Sequence, residues 1–474
     1  MLDHASPNAG PVTPAPFTPA HVPGVMKPMS IPQLVSAARR NALETIPAIA
    51  YRQPMVSGKT LIRWHMVMDP AALKRILLDA VEDYPKSEIT QRLLRPAVGT
   101  SIFTSEGEEW RWQRRAASPI FNHRNIAALT PMMSAAAERT VERLDRAVEN
   151  GFEGAGAADV MDEMVTATFE IVCDTLLSGG DGLDRREIGR AITRYFDTIG
   201  KVSILDIAGA PNWIPRPSQL LNRRVMESTV GMVDRLIGSR RASLDGYEGG
   251  EDLLGFMLRA EDPETGKSMD DATLRNNLLS FIVAGHETTA LALAWSLYLL
   301  ANDAGAQARA AEESRAAIGS GPATANHLDR LPYVRQVLDE AMRLYPPAAM
   351  LSRNARADDE LCGREVRKGD LVTLPIYALH RHDLLWENPL QFDPENFAPE
   401  KVKARDRYAY LPFGAGPRVC IGMSFALTEA TIILASLLAR FEFSPRPGHA
   451  PQPVVTMTLR PKGGMPLKLR RREP

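Results

Sequence analysis

The chain has 474 residues, of which 45% are hydrophobic and 24% are charged, a composition typical of soluble globular proteins. Its 56 Lys and Arg residues nearly balance its 57 Asp and Glu residues. The resulting formal net charge of -1 argues against a nucleic-acid-binding protein, which needs a basic excess. A mean hydropathy of -0.18 likewise argues against a polytopic membrane protein. At roughly 150 residues per domain, the length alone suggests about three domains.

The N-terminal segment and the cysteines indicate where the protein resides. Residues 1–30 are rich in proline and contain no apolar run, which predicts a flexible segment and not a secretory signal or a membrane anchor. The three cysteines, Cys173, Cys362 and Cys420, are an odd and sparse set that cannot form a disulfide framework. A reducing compartment is therefore expected, and a cytoplasmic location is predicted.

Helical periodicity dominates the rest of the chain. Helices are predicted over 71–83, 131–150, 160–177, 184–199, 220–244, 270–302, 331–344 and 423–441. Residues 278–300 are apolar and long enough to cross a membrane. However, His286, Glu287, Thr288 and Thr289 lie near the middle of this stretch, where they would be costly in lipid. The stretch is therefore predicted to be a core helix, and no membrane span is expected.

Strand patterns are short and few. A strand is predicted over 371–376, and the segments 454–459 and 467–469 on either side of residues 462–464 predict a hairpin. The segments 48–52 and 60–66 are predicted to pair in the same small sheet. The chain is therefore expected to be mainly α with a small β subdomain.

Residues 413–422 form the most unusual segment, a constrained run of glycine and proline immediately before the predicted helix over 423–441. Cys420 thus lies close to a helix N-terminus, where the dipole stabilises a thiolate, and Arg418 adds a positive charge two residues away. Such a thiolate would be a nucleophile or a soft-metal ligand. A buried cysteine at the start of a helix is an equally good interpretation of the segment taken alone.

This segment resembles the heme-binding loop of the cytochrome P-450 family, Phe-x-x-Gly-x-Arg-x-Cys-x-Gly, at every defined position. Three further motifs of the family occur in the expected order: Trp-x-x-x-Arg at 110–114, the distal-helix motif at 284–289 and Glu-x-x-Arg at 340–343. Each motif is weak to moderate alone, but four in register make chance resemblance very improbable. The resemblance implies the cytochrome P-450 fold in a single domain over 31–474, with heme between the long distal helix and the cysteine loop with its proximal helix.

The resemblance also implies the cofactor and the residues that bind it. The cofactor would be heme b (iron protoporphyrin IX), with Cys420 as its axial thiolate and only protein metal ligand. Gly416 and Gly422 would let the backbone pass close to the porphyrin, and Phe413 would shield the sulfur. The heme propionates would bind Arg418, Arg114, Trp110 and Arg353. Arginine suits this role because its fork can hold a carboxylate bidentately.

On the distal side, Ala284 and Gly285 would border a groove for dioxygen, the co-substrate. A threonine hydroxyl can bond the carbonyl group four residues back, here from Thr288 to Ala284, and thereby bend the helix. By resemblance, Thr288 and Glu287 would form the acid–alcohol pair that delivers protons to the reacting oxygen.

Two further groups of residues follow from the resemblance. Glu340 and Arg343 lie one turn apart and would form a structural pair. Asn396 replaces the arginine that usually completes this triad, so the triad is either incomplete or completed by a hydrogen bond.

The positions that match the family's substrate pocket are Phe103, Ala284, Ala348, Met350 and Met457. Each has a plain core-packing alternative, and their apolar character favours a hydrophobic small-molecule substrate.

The implied reaction is the insertion of one oxygen atom into a hydrophobic substrate by a monomeric enzyme. Electrons would come from NAD(P)H through a ferredoxin or flavodoxin and its reductase. An acidic partner could dock on positive charge from Arg111, Arg114, Arg115, Arg124 and Arg418; a solvated arginine face is the alternative. A peroxygenase or isomerase that needs no reductase, and a non-catalytic heme sensor, are the competing hypotheses; the intact pair of Glu287 and Thr288 disfavours both.

Overall fold

The structure, a computed structural model, describes residues 17–60, 62–151, 155–176, 217–244, 252–319 and 321–473. The helix predicted over 184–199 lies outside these residues. The α-helices of the described part are α1 (Ile31–Arg40), α2 (Pro70–Lys74), α3 (Glu88–Val98), α4 (Gly107–Ala117), α5 (His123–Glu149), α6 (Val160–Leu176), α7 (Pro217–Leu244), α8 (Leu253–Leu258), α9 (Asp271–Asn302), α10 (Ala304–Ile318), α11 (Pro332–Leu344), α12 (Ile376–Leu379), α13 (Pro399–Ala404) and α14 (Met423–Arg440).

Two helix predictions were wrong in their boundaries. The helix expected over 71–83 is the short α2, which continues as a π-helical turn over Arg75–Asp79. The helix expected to begin at Pro131 begins eight residues earlier, at His123. A proline inside a helix leaves the carbonyl group four residues back without its amide donor. Here that carbonyl, of Ala127, accepts a 2.7 Å hydrogen bond from the Thr130 hydroxyl, so the helix continues.

The strands form small sheets at the edge of the helical body. The strands are β1 (Met55–Lys59), β2 (Arg63–Val67), β3 (Ala155–Asp159), β4 (Leu351–Asn354), β5 (Asp359–Leu361), β6 (Arg364–Val366), β7 (Leu371–Leu374), β8 (Phe441–Pro445), β9 (Gln452–Val455), β10 (Leu459–Lys462) and β11 (Pro466–Arg471). A four-stranded sheet has the order β1-β2-β7-β4, and a three-stranded sheet has the order β3-β11-β8. β9 pairs with β10, and β5 pairs with β6.

Two strand predictions were wrong in their pairing. Residues 48–51 form a 3-10 helix, and the strand β2 pairs with β1 and β7 instead. The turn at Gly463 and Gly464 does not close a hairpin, because β11 joins β3 and β8. Gly464 passes so close to Asp159 that a Cβ atom would lie 1.9 Å from its carboxylate, and that carboxylate accepts the Met465 amide at 2.9 Å. These contacts direct β11 to β3.

The predicted core helix is confirmed. In α9, the side chains from Ala290 to Ala301 are all buried, and Trp295 stacks on Tyr345 with ring centroids 3.7 Å apart. Among the described residues, α9 and α14 are apolar and long enough to cross a membrane, but 78% and 72% of their most apolar windows are buried inside the protein. Both helices therefore carry the core, and they border the candidate site.

Candidate active site

The cysteine loop is held by its own backbone and by a close contact with another segment. The Cys420 amide donates a 2.9 Å hydrogen bond to the Phe413 carbonyl group, which closes the loop. Gly416 has a φ of +69°, and a Cβ atom there would lie 1.9 Å from the Leu77 carbonyl oxygen. Glycine at 416 is therefore required by a contact within the protein. At Gly422 a Cβ atom would meet no protein atom within 4 Å, which leaves open space beside Cys420.

Cys420 is exposed on one side and crowded by protein on the others. Burial and the helix start act on the ionisation of this thiol in opposite directions. Desolvation raises the pKa of the Cys420 thiol, although the Gly422 amide and the Arg114 guanidinium act in the opposite direction. Without a further cation the thiol is therefore neutral at neutral pH. A metal ion at the sulfur would supply the missing charge, since a coordinating thiol is deprotonated outright.

A short window of α9 opens in the middle of an otherwise buried helix. Ala284 is exposed, and Gly285 and Thr288 are half-buried, whereas the flanking Val283 and Thr289 are buried. The predicted hydrogen bond is present: the Thr288 hydroxyl donates to the Ala284 carbonyl at 2.7 Å. This window presents a hydroxyl group and a strip of small residues to open space.

The window and the cysteine loop belong to helices that pack together. Ala292 of α9, Leu427 of α14 and Met342 of α11 form a small core cluster, and Phe413 of the cysteine loop packs against it. One turn nearer the window, the Thr289 hydroxyl lies beside the buried carboxyl of Glu429 on α14, whose pKa burial raises well above its usual range. These contacts bring the loop and the window to the same region of the fold.

Glu287 does not pair with the neighbouring Thr288 hydroxyl. Its carboxylate is buried and forms an ion pair with Arg460 on β10, whose side chain is 39% exposed. The neighbouring His286 is buried, and burial lowers its pKa to about 4, so its ring is neutral at neutral pH. Sequence reasoning missed Arg460, because the contact joins residues 173 positions apart. Glu287 and Arg460 thus link the window to the surface.

Four basic side chains lie together near the cysteine loop, and three of them are close to the Glu106 carboxylate. Arg418 pairs with Glu106 and donates to the Val81 carbonyl at 2.8 Å, and the Lys86 ammonium lies 3.9 Å from Glu106. Arg353 and Arg114 are the other two, and their positive charges act on the Lys86 ammonium group. The Trp110 ring packs beneath Arg418, at 5.4 Å from its guanidinium carbon. Lys86 and Glu106 were not predicted, because no sequence motif contains them.

The side chains of Lys86, Arg114, Arg353 and Arg418, which we call the cationic group, carry more positive charge than the Glu106 carboxylate neutralises. Burial, together with the charges of three arginines, lowers the pKa of Lys86 to about 7 despite the opposing effect of Glu106. Burial also lowers the pKa of Arg353 to about 10. Within the described part of the chain, the buried Nε atoms of Arg353 and Arg418 have no hydrogen-bond partner. Buried polar atoms rarely remain unsatisfied, so an anion bound here completes the group.

The predicted pair of Glu340 and Arg343 is confirmed. Both side chains are fully buried, and two hydrogen bonds of 2.6 Å join them. Asn396 completes the triad with a hydrogen bond, since its amide nitrogen lies 3.3 Å from Glu340. Sequence reasoning missed Arg405, which donates to the Asn396 carbonyl group and whose charge interacts with Glu340. Arg405 supplies positive charge that the triad would otherwise lack.

The predicted pocket residues are dispersed: Ala284 lies in the α9 window, Ala348 is half-buried after α11, and the other three lie elsewhere. Met457 packs against the cluster that contains Ile282 and Val283, on the distal side of α9. Met350 packs against the main core and lines a large cavity under the N-terminal segment. Phe103 is 38% exposed.

These features fit a planar, dianionic, metal-containing group. Cys420 faces open space beside Gly422, and the four cations of the cationic group outnumber the one carboxylate of Glu106. A helix with a hydroxyl-bearing window belongs to the same region. The fold and the site define a heme-thiolate protein, in which Cys420 would hold the iron and the cationic group would hold the propionates.

Comparisons with known proteins agree. The family described as "Cytochrome P-450" matches residues 61–468. The cyclooctat-9-en-7-ol 5-monooxygenase of Streptomyces melanosporofaciens is 33% identical over 93% of this chain and 94% of its own. Cytochrome P-450 4A7 of Oryctolagus cuniculus is 30% identical over 85% of this chain and 80% of its own. The crystal structure of the cytochrome P-450DA heme domain has a TM-score of 0.77 at 28% identity and covers 89% of this chain and 90% of its own.

The chain belongs to the cytochrome P-450 family. It is an oxidoreductase with thiolate-ligated heme that uses O2 to oxidise a hydrophobic small molecule. The predicted fold and reaction class are confirmed.

Heme retention tests the cationic group. Arg353→Met removes a buried donor and leaves the group less positive, so we expect heme to dissociate about tenfold faster or more, as for the loss of a hydrogen bond to a charged group. The rate is measured by transfer of heme to an excess of an apoprotein acceptor. Arg364→Met is the control, because Arg364 is exposed on β6. Equal dissociation rates for both variants would contradict the assignment of Arg353.

Proposed function

We propose that Thr288 and Glu287 control proton delivery in an oxygen-insertion reaction at the α9 window. The observation that supports this proposal is that Thr288 supplies the hydroxyl group of this window, which donates a hydrogen bond to the Ala284 carbonyl group. When bound, the heme supplies the redox chemistry that activates dioxygen. Ala284 and Gly285 leave room for a small molecule, and the Thr288 Oγ1 atom holds a proton at its edge.

Glu287 acts as the acid that supplies protons to the window of the Thr288 hydroxyl. Its ion pair with the half-exposed Arg460 holds the carboxylate away from Thr288. Release of Arg460 toward solvent frees the carboxylate to carry a proton between the surface and the window. We therefore propose Arg460 as a residue that positions Glu287.

We further propose that a ferredoxin or flavodoxin with its reductase supplies the electrons, ultimately from NAD(P)H. The predicted arginine face is only partly free to bind such a partner. Arg111 pairs with Glu82 and Glu108, and Arg115 pairs with Asp262. Arg418 is buried against Glu106, so the proposed docking contact is narrowed to the exposed Arg124 and the half-buried Arg114.

The remaining proposals concern the state of the protein. We propose a monomer in the cytoplasm with a single domain over 31–474. The support is that the two most apolar helices are largely buried in the core and that Cys362 and Cys420 form no disulfide. One of the relatives, the cyclooctat-9-en-7-ol 5-monooxygenase, is named for monooxygenation of a specific compound, and we propose C–H hydroxylation for this chain.

The reaction is tested with purified holoprotein, a surrogate ferredoxin and its reductase, and a panel of hydrophobic compounds. Compounds that shift the heme from low to high spin are selected first. Under labelled O2, a product with one labelled oxygen atom is expected. Turnover with peroxide alone, and none with the electron-transfer proteins, would favour the peroxygenase alternative.

Thr288→Ala is expected to uncouple electron use from product formation, because the hydroxyl that holds the proton is lost. Product per NAD(P)H consumed should fall severalfold, while the rate of NAD(P)H consumption changes little. Thr288→Ser keeps the hydroxyl and is the matched control, with coupling near that of the wild type. Unchanged coupling in Thr288→Ala would refute the role of this residue.

A further inference from the structure

Three polar side chains of the four-stranded sheet form a chain of hydrogen bonds outside the candidate active site. Ser57 lies on β1, His65 lies on β2, and Asp370 immediately precedes β7. The Ser57 Oγ atom lies 2.8 Å from His65 Nδ1, and His65 Nε2 lies 2.9 Å from Asp370 Oδ2. None of these three residues, which we call the sheet triad, belongs to the cysteine loop, the α9 window or the cationic group.

The register of the sheet brings the three side chains to one face. Ser57 of β1 is paired with His65 of β2, and His65 is paired with Val372 of β7. Asp370 is two residues before Val372, so the alternation of side chains places it on the same face as His65. The neighbouring Trp64 projects to the other face, where it lines the large cavity under the N-terminal segment. The sheet triad therefore faces away from that cavity.

The ionisation of Asp370 determines where the protons of the sheet triad lie. Burial opposes it, but hydrogen bonds from His65 and the Arg367 amide, together with the Arg63 guanidinium, lower the pKa of the Asp370 carboxyl group. A carboxylate only accepts hydrogen bonds, so His65 Nε2 carries a proton and donates it to Asp370. In the neutral form of the ring, His65 Nδ1 then accepts the hydrogen bond of the Ser57 hydroxyl. This is the arrangement of nucleophile, base and orienting acid that acyl-transfer enzymes use.

Burial gives the three side chains different access to solvent. His65 and Asp370 are 2% and 5% exposed, whereas Ser57 is exposed. The imidazole and the carboxylate are therefore held in one geometry by the surrounding sheet, while a reagent can reach the hydroxyl group from solvent. This combination suits a nucleophile that is supported by a buried base.

Free backbone amides lie beside the Ser57 hydroxyl. The Thr60 amide donates to the Ile62 carbonyl group at 3.1 Å, and alternate residues of an antiparallel strand bond its partner. The amides of Thr60 and Gly58 therefore face β2, whereas those of Ser57 and Lys59 point to the other edge of β1. No strand of the described residues pairs with that edge. Backbone amides in such a position can stabilise the negative charge that develops on an acyl oxygen.

A cation lies on the same face as the Ser57 hydroxyl. Lys59 is two residues after Ser57, so its side chain projects in the same direction. The side chain is exposed, and within the described part of the chain it forms no ion pair. Its ammonium group is therefore available to the same developing charge.

We propose that the sheet triad is a second, hydrolytic site, at which Ser57 accepts the acyl group of a small activated ester. The Ser57 oxygen bonds to the acyl carbon, and His65 takes the hydroxyl proton. The bond between the acyl carbon and the leaving oxygen then breaks, and His65 gives the proton to the departing alcohol. Water releases the acyl group as a carboxylic acid by the same route and restores the Ser57 hydroxyl. No electron is gained or lost, so this site works independently of the oxidation reaction.

The test uses the holoprotein and a fluorophosphonate probe, which forms a stable phosphorus–oxygen bond with an activated serine as fluoride leaves. One probe is expected to attach to each chain, and peptide mass spectrometry should locate it at Ser57. In His65→Gln the labelling rate should fall about 100-fold, because the general base is lost. His382→Gln is the matched control, since His382 is a buried histidine outside the sheet triad, and its labelling rate should equal that of the wild type.

A second measurement uses a variant at the exposed position of the sheet triad. Ser57→Ala should remove the probe label and lower the rate of p-nitrophenyl acetate hydrolysis by a similar factor. Ser118→Ala is its control, because the exposed Ser118 hydroxyl only donates to the Arg114 carbonyl group, at 2.7 Å. This control should keep both the label and the hydrolysis. The reduced carbon monoxide spectrum verifies that each variant retains its heme.

Absence of the label, a label at another residue, or equal labelling rates in His65→Gln and His382→Gln would overturn the proposal. Each of these results would show that the sheet triad only stabilises the sheet. Ser57→Ala should leave the product formed per NAD(P)H consumed unchanged. Failure of this proposal is therefore distinguishable from failure of the proposed oxygen insertion.

Discussion

Cys420→Ala is expected to abolish the thiolate-type, red-shifted absorption band of the reduced carbon monoxide complex. Cys420 is the only one of the three cysteines that faces open space beside the cationic group, since Cys173 is buried in α6 and Cys362 lies in the β5–β6 turn. Loss of the sulfur removes the donor that pushes electron density onto the iron. Product formation should fall below detection, with either loss of heme or a changed axial ligand in the spectrum.

Cys362→Ala is the matched control, because Cys362 is exposed and has a φ of 52°, which alanine tolerates no worse than cysteine does. Its carbon monoxide spectrum and activity should equal those of the wild type. A Cys420→Ala variant that keeps the red-shifted band would contradict the assignment of Cys420 as the axial ligand.

Glu340→Gln is expected to lower the free energy of unfolding by about 3–5 kcal/mol, as for other buried ion pairs that lose one partner. Glu340 accepts two hydrogen bonds from Arg343 and one from the Asp393 amide, in a fully buried environment. Glutamine would leave the Arg343 guanidinium charged, buried and without its carboxylate. The loss is measured by denaturant unfolding of the holoprotein.

Glu88→Gln is the control, since its ion pair with Arg92 lies at the surface and the Glu88 side chain is 73% exposed. A surface pair contributes about 0–1 kcal/mol, so this variant should unfold almost as the wild type does. Equal losses of unfolding free energy in the two variants would contradict the prediction that the buried Glu340 pair stabilises the fold more than a surface pair does.

The sequence predicted the elements that depend on local pattern. The boundaries of α9 and α14 follow from their apolar runs, and the start of α9 is fixed by Asp270, which accepts the Thr273 amide at 2.8 Å. One error arose where a distant contact decides the conformation, since the Asp159 carboxylate binds the Met465 amide and directs β11 away from a hairpin. Another arose from a local hydrogen bond, because the Thr130 hydroxyl satisfies the Ala127 carbonyl group and lets α5 continue through Pro131.

The same distinction holds for the candidate site. Cys420, Thr288 and Arg418 could be named from motifs because each lies within a motif segment. Lys86 and Arg460 could not, because the first acts through its distance from three arginines and the second through its ion pair with Glu287. Motifs record residue identity, whereas burial and charge coupling depend on which segments the fold brings together.

By itself, the sequence determined the family, the reaction class and the candidate iron ligand, because these depend on short segments with fixed spacing. Tertiary structure alone decided that desolvation opposes ionisation of Cys420 and that Glu287 faces Arg460. It also decided that Lys59, Arg356 and Lys368 lie at the same end of the four-stranded sheet. Their separation in the chain hides this from any local pattern. The physical reason is that electrostatic effects depend on distance and solvent exposure, which only the folded chain specifies.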